Sequence, residues 1–289
     1  MTDLIFSKKN KNDIDNFLSN PSHALLVHGR NNYGKKSTAK YIASSILKLK
    51  TVGELLKYPY FYEIFPDNNV IGIDKIRELK SKFQLKTTGK NLFRRVAIIY
   101  NADFMNEEAQ NALLKVLEEP PEDSVLILTS SNENQLKPTI LSRIQKLKIT
   151  KPSETETKEY FISKGSDEDT INKMYLFADG AIGLLSSLLS EDSNIDIISI
   201  DEAKKIIQSS LFEKLIKVDE LTKDKDQLYY NLFCMKQIAK SALKQAIIKN
   251  QTKLITYWVK VTKRIQATED MLLKNANTKL MLTSLFLEM

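Results

Sequence analysis

Short, unbroken apolar runs punctuate the first half of the chain. Ala24–His28 (ALLVH), Tyr60–Ile64, Val96–Tyr100 (VAIIY) and Ser124–Thr129 (SVLILT) are rich in aliphatic, β-branched and aromatic side chains. That is the pattern of strands buried on both faces of a parallel sheet. A fifth strand is expected over Gln145–Ile149. Helical periodicity fills the intervals: Leu4 to Leu18, then Ala39 to Leu49, then the stripe Ile73, Ile76, Leu79 and Phe83. The clearest helix starts at Asn106, a capping residue, with Glu107 and Glu108 in its first turn, where negative charge suits the positive end of the dipole. It buries Ala109, Ala112, Leu113, Val116 and Leu117 and cannot pass Pro120-Pro121, which lack amide donors.

Pro152 opens a different pattern. Ser153 to Lys164, Asp167 to Phe177 and Ala181 to Leu189 read as three short amphipathic helices, and Ser190 to Ile198 as a polar linker. From Ile200 onward the spacing is helical. The expected buried faces carry Leu211, Leu215 and Val218, then Leu228, Leu232 and Met235, then Ile255, Val259 and Ile265. Trp258 is expected in the core or at an interface.

Composition narrows the function classes. A chain of 289 residues, 42% hydrophobic, can bury a substantial core and divide into two or three domains. Its formal charge of +7 suits nucleic acid or an acidic partner, and equally suits abundant solvated lysine. The single cysteine, Cys234, excludes an internal disulfide and reads as a small core residue. No apolar run approaches the ~20 residues of a membrane span, so a cytoplasmic location is expected. One cysteine and two distant histidines, His23 and His28, cannot build a zinc site. Both histidines read as packing or hydrogen-bonding residues.

Candidate chemistry begins after the first strand. Gly29-Arg-Asn-Asn-Tyr-Gly34-Lys35-Lys36-Ser37-Thr38 links a strand to a helix, the setting of a phosphate-binding P-loop in which amides and a lysine face phosphates. The motif wants a hydroxyl directly after the lysine to hold magnesium, and Lys36 stands there. Ser37 or Thr38 could substitute only through a register shift. Gly29, Gly34, Lys35, Ser37 and Thr38 are therefore a degenerate nucleotide-binding set, in which weak ATP or ADP binding stays open and no cofactor is required.

AQNALLKVLEEPPEDSVLILTSS, followed by LKPTILSRIQKLKI, closely resembles the Walker B to arginine-finger segment of the AAA+ clamp-loader family. IGIDKIRELK resembles a helix of the same family. The resemblance implies an α/β AAA+ domain with a parallel five-stranded sheet flanked by helices over 1–151, a three-helix lid over 152–190 and an all-α collar over 191–289. Relatives with a zinc module carry four cysteines after the P-loop helix, and Thr51 to Tyr60 has none. Asn32 stands where the family has another glycine.

Mapped onto this chain, the family's Walker B acids fall at Tyr100 and Asn101, so neither metal charge nor water activation is supplied. Asp103 lies beyond that pair and reads as a turn cap. Thr129, Ser130 and Ser131 occupy the sensor-1 region, and Gly183 the place of the sensor-2 arginine, a substitution of the delta-prime type. Ser142-Arg143 matches the family's SRC motif, with Ile144 for cysteine. The resemblance gives Arg143 the catalytic role in trans, on nucleotide held by a neighbour; an ion pair with a local carboxylate is the structural alternative.

The implied function is a non-hydrolysing stator of the DNA polymerase III clamp loader, with tau/gamma and delta subunits, primer-template DNA and, as a further candidate, the sliding clamp as partners. Lys75, Arg77, Lys80, Lys82, Lys86 and Lys90 would either line a DNA channel or form a solvated face. The competing reading is a tau/gamma-type or other AAA+ ATPase with an atypical P-loop. A DNA-binding protein outside replication is a third.

Overall fold

A computed structural model describes residues 4–31, 33–89, 91–178, 182–189, 197–273 and 277–289. Asn32, Lys90 and positions 190–196 of the expected linker lie outside the described residues. The chain groups into two compact units, one drawn from 1–160 with 181–183 and one from 161–180 with 184–289.

The first unit alternates α1 (Lys8–Ser19), β1 (Ala24–His28), α2 (Lys35–Ile46), β2 (Phe61–Ile64), α3 (Ile73–Gln84), β3 (Arg95–Ile99), α4 (Glu107–Glu118), β4 (Ser124–Ser130), α5 (Pro138–Leu141) and β5 (Gln145–Lys148), closing on α6 (Glu154–Ser163). All strand pairs are parallel, in the order β2-β3-β4-β1-β5. The five-stranded sheet flanked by helices is the expected one.

Period-two alternation distributes the core strands between two layers. Leu26, Ala97, Ile99, Leu126 and Leu128 pack toward α3 and α4, whereas Leu25, Val27, Val96, Ile98 and Ile127 pack toward α1 and α2. Several boundaries move for local reasons. Ser7 accepts a hydrogen bond from the Asn10 amide, so α1 begins at Lys8 rather than Leu4. Gly34, in the left-handed region, opens α2 four residues earlier than periodicity alone indicated. Asn106 does cap α4, accepting from the Ala109 amide at 2.8 Å.

One buried cluster was not visible in the sequence. Asp123 accepts from Arg94 and from Arg95, whose Nε lies 3.0 Å from it, and Thr87 adds a short hydrogen bond. Burial pushes its pKa up, yet the bonds from Thr87, Arg95 and Arg94 win and hold the carboxyl below its usual range.

The second unit is helical: α7 (Glu168–Ala178), α8 (Ile182–Leu189), α9 (Ile197–Gln208), α10 (Leu211–Ile216), α11 (Val218–Leu221), α12 (Lys225–Ile248), α13 (Thr252–Leu273) and α14 (Thr278–Glu288). Val218, Leu228, Leu232, Met235, Ile265 and Cys234 are buried in one core, with Leu215 and Trp258 packed on it. Leu211, expected inside, is exposed, because Ser210 caps α10 in a capping box and the first turn lies at the surface. No helix among the described residues is long and apolar enough to cross a membrane.

Candidate functional site

The P-loop stands where β1 leaves the sheet. Gly29 has φ +151° and approaches β5 so closely that a Cβ would lie 2.6 Å from the Ile149 carbonyl oxygen; only glycine fits. Gly34, at φ +82°, turns the chain into α2.

The loop is closed on its own lysine. The Lys35 ammonium, almost fully buried, donates to the carbonyls of Gly29 and Arg30, both at 2.8 Å. Burial lowers its pKa to about 8, opposed by the attraction of Asp103 and reinforced by Lys36. Thr38 is buried, and its hydroxyl donates back to the Gly34 carbonyl at 2.9 Å; Ser37 faces solvent. Neither hydroxyl has moved into the place where the motif wants one.

Tyr100 fills the region of the missing acids. It is fully buried, stacks on Phe65 with centroids 4.6 Å apart, and donates its phenol proton to Glu63 at 2.7 Å. Lys40 pairs with the same carboxylate at 3.1 Å. The Lys36 and Lys40 ammonium groups lie 5.9 and 6.0 Å from the ring centroid, within cation–π range. Burial, with Glu63 adding to it, pushes the phenol pKa up, so Tyr100 stays neutral. Asn101 takes a left-handed turn, and its amide donates to Thr129 Oγ1 at 3.0 Å, which commits the sensor-1 hydroxyl to the backbone. Ser130 accepts from the Asn132 amide, and Ser131 donates to Asn31.

Asp103 departs from its expected role. The turn after Asn101 is closed by backbone bonds from Phe104 and Met105, while the Asp103 carboxylate acts on Lys35 and keeps one buried oxygen, Oδ1, without a hydrogen-bond partner. The two histidines behave as expected of non-ligands. His28 lies 3.8 Å from Glu133, with its pKa lowered chiefly by burial, and no metal-binding cluster occurs among the described residues.

Arg143 occupies the other end of the sheet. It lies two residues before β5 begins, and β5 runs parallel to β1 with Leu25 opposite Gln145, so the strands separate it from the P-loop. Five residues at roughly 3.3 Å each keep the guanidinium from serving its own pocket. Pro138 starts α5, Ser142 caps it, and Arg143 follows, donating to the Thr139 carbonyl at 3.0 Å and to Ser142 Oγ at 3.4 Å. The local carboxylate is present: Glu118 lies 3.1 Å from Nη2, with the arginine side chain 38% and the glutamate 50% exposed. Gln110, missed by the sequence reading, anchors the preceding loop. Its amide donates to the Met105 and Gln135 carbonyls and its carbonyl accepts from the Lys137 amide. Among the basic residues of α3, Lys75 is tied to Asp67 and Lys82 to Glu78, while Arg77 and Lys80 border a groove of about 400 Å³ with Lys115 of α4.

Residues 8–153, half of the chain, match a family model described as "DNA polymerase III, delta subunit". The chain is 32% identical over 138 residues to the DNA polymerase III subunit delta' of Bacillus subtilis, covering 44% of this chain and 41% of that one. It is also 32% identical over 141 residues to the tau subunit of the same organism, covering 43% and 24%. The matched stretches thus span less than half of these curated relatives. A solved DNA polymerase III gamma subunit-related protein from Thermotoga maritima superposes with a TM-score of 0.64 at 18% identity, over 97% of this chain and 98% of that one, and shares the fold.

Proposed function

Because the chain belongs to the delta-prime family of DNA polymerase III clamp-loader subunits, we propose that it is a stator: it joins tau/gamma and delta subunits, hydrolyses no ATP itself, and lends Arg143 to a neighbour's nucleotide. The observation that carries this reading is the self-occupied pocket. Groups that would meet phosphate, magnesium or water in an active site are committed elsewhere: Lys35 to loop carbonyls, Thr38 to Gly34, Thr129 to the Asn101 amide. Tyr100 stands where a metal-binding acid belongs, and a phenol held neutral brings no charge to magnesium.

Arg143 supports the second half. Its exposed pair with Glu118 is worth about 0–1 kcal/mol. A γ-phosphate presented by a neighbouring subunit offers a bidentate, more highly charged partner, for which a planar permanent cation is suited. The arginine therefore exchanges Glu118 for phosphate when the ring assembles. In clamp loading, the machine opens a sliding clamp and places it on primed DNA.

One feature favours the ATPase reading: Asp103 brings an acid near Lys35 with one oxygen unpartnered. Its reach to a nucleotide would require Lys35 to leave the Gly29 and Arg30 carbonyls. Reconstitution with tau/gamma and delta subunits separates the readings. DNA-stimulated ATPase should rise when this chain is added while the isolated chain turns over no ATP. Magnesium-dependent hydrolysis by the isolated chain, abolished in Asp103→Asn, rejects the stator.

A further inference from the structure

At the starting ends of β2 and β3, away from the pocket and at the opposite edge of the sheet from β5, two segments are stapled together. Tyr58 and Tyr60 meet edge to face with centroids 6.2 Å apart, and the Tyr60 phenol bonds Thr88 at 3.2 Å. Arg94 ties the same loop by donating to Thr87 at 2.9 Å and to the Gly89 carbonyl at 3.3 Å. Onto this rigid base the chain places three leucines that the fold leaves outside: Leu56 at 73%, Leu85 at 60% and Leu92 at 77% exposed. Large aliphatic side chains at such exposure, borne on two stapled segments, are a mark of a docking surface rather than of scattered surface residues.

The charge on the same segments is one-sided. Lys50, Lys57 and Lys86 are exposed. The acids nearby are largely spent: Glu54 accepts from the Lys50 amide and lies near the Thr51 hydroxyl, and Asp123 is enclosed by Arg94 and Arg95. Glu122 is the exception, exposed beside Asp123. We infer that this surface docks an acidic peptide segment of a partner protein, with leucine or phenylalanine anchors meeting Leu56, Leu85 and Leu92 and carboxylates meeting Lys57, Lys86 and Arg94. Tyrosine and arginine at a rigid apolar patch are the residues that most often dominate such contacts. Aliphatic leucines favour a peptide over nucleic acid, whose bases call for exposed aromatic faces, and both tyrosine rings here are partly covered.

The test uses the full chain and fluorescence anisotropy with three labelled probes: a synthetic amphipathic peptide of Glu, Asp and Leu, its charge-reversed Lys counterpart, and a single-stranded oligothymidylate. The acidic peptide should bind saturably, weaken as salt rises, and lose about tenfold in affinity in Leu56→Ser/Leu92→Ser and again in Lys57→Glu/Lys86→Glu. These positions are exposed, so the variants should keep the wild-type melting temperature. No saturable binding of the acidic peptide, equal binding by the variants, or oligothymidylate as the probe whose binding the variants abolish would overturn the assignment. ATPase stimulation in the reconstituted complex does not enter this test, so its outcome and that of the stator reading are separate.

Discussion

Two arginine–carboxylate pairs in the first unit have similar geometry and opposite worth. Arg95 and Asp123 meet at 3.0 Å with 6% and 9% of their side chains exposed; Arg143 and Glu118 meet at 3.1 Å with 38% and 50% exposed. Distance does not separate them, and burial does. In the first pair each charge has left water and depends on the other, so removing one strands its partner. In the second, water competes at every moment and the pair can dissolve when a better anion arrives. The first is architecture that fixes the start of β3. The second is a resting place for a functional group.

The largest expected effect breaks the buried member. Asp123→Ala leaves the Arg95 guanidinium without its anion and should cost about 3–5 kcal/mol of unfolding free energy, read from urea denaturation. A loss below about 1 kcal/mol would place that pair in the same class as the exposed one.

Lys35 is an intermediate case, a cation buried among carbonyls with only the partial support of Asp103. Its folded pKa of about 8 lies below the unfolded value of 10.5, so the unfolded chain holds the extra proton between those limits. Stability from this group therefore rises with pH across that window, by about 3 kcal/mol at 1.36 kcal/mol per unit. Lys35→Met should flatten the rise relative to wild type in melts from pH 8 to 10.5. Equal slopes would mean that the ammonium is solvated and the loop open.

The smallest effect belongs to the exposed pair. Glu118→Gln should change stability by less than about 0.5 kcal/mol. In the reconstituted complex it should leave ATPase stimulation intact or raise it slightly, because Arg143 then has less to leave behind.

How far the sequence foretold these features depends on the range of the interactions. The buried strands and α4 were legible because β-branched runs, a capping asparagine and a proline pair act within a few residues. So were the departures at Lys36, Tyr100 and Asn101, which fall at fixed places in a motif. The clamp of Arg94, Arg95 and Thr87 on Asp123 was not legible, since it joins positions some thirty residues apart and charge alone does not say which acids go inside. Asp103 was misread as a local cap for the same reason: its neighbour, Lys35, arrives from another loop. Leu211 was placed inside by periodicity, but α10 is too short for one stripe to fix which turn meets the core. Gln110 sits on a predicted helix, yet nothing in its spacing shows that it bonds the loop carrying Arg143.

The most direct test of the central claim is the ATPase rate of a reconstituted complex containing Arg143→Ala in this chain. The account predicts unchanged assembly by gel filtration and a fall in DNA-stimulated hydrolysis at the adjoining site of roughly 10³-fold, the lower range for an arginine finger, with Arg143→Lys restoring little of it. Unchanged hydrolysis in a correctly assembled complex would contradict the account and leave Arg143 as a surface partner of Glu118.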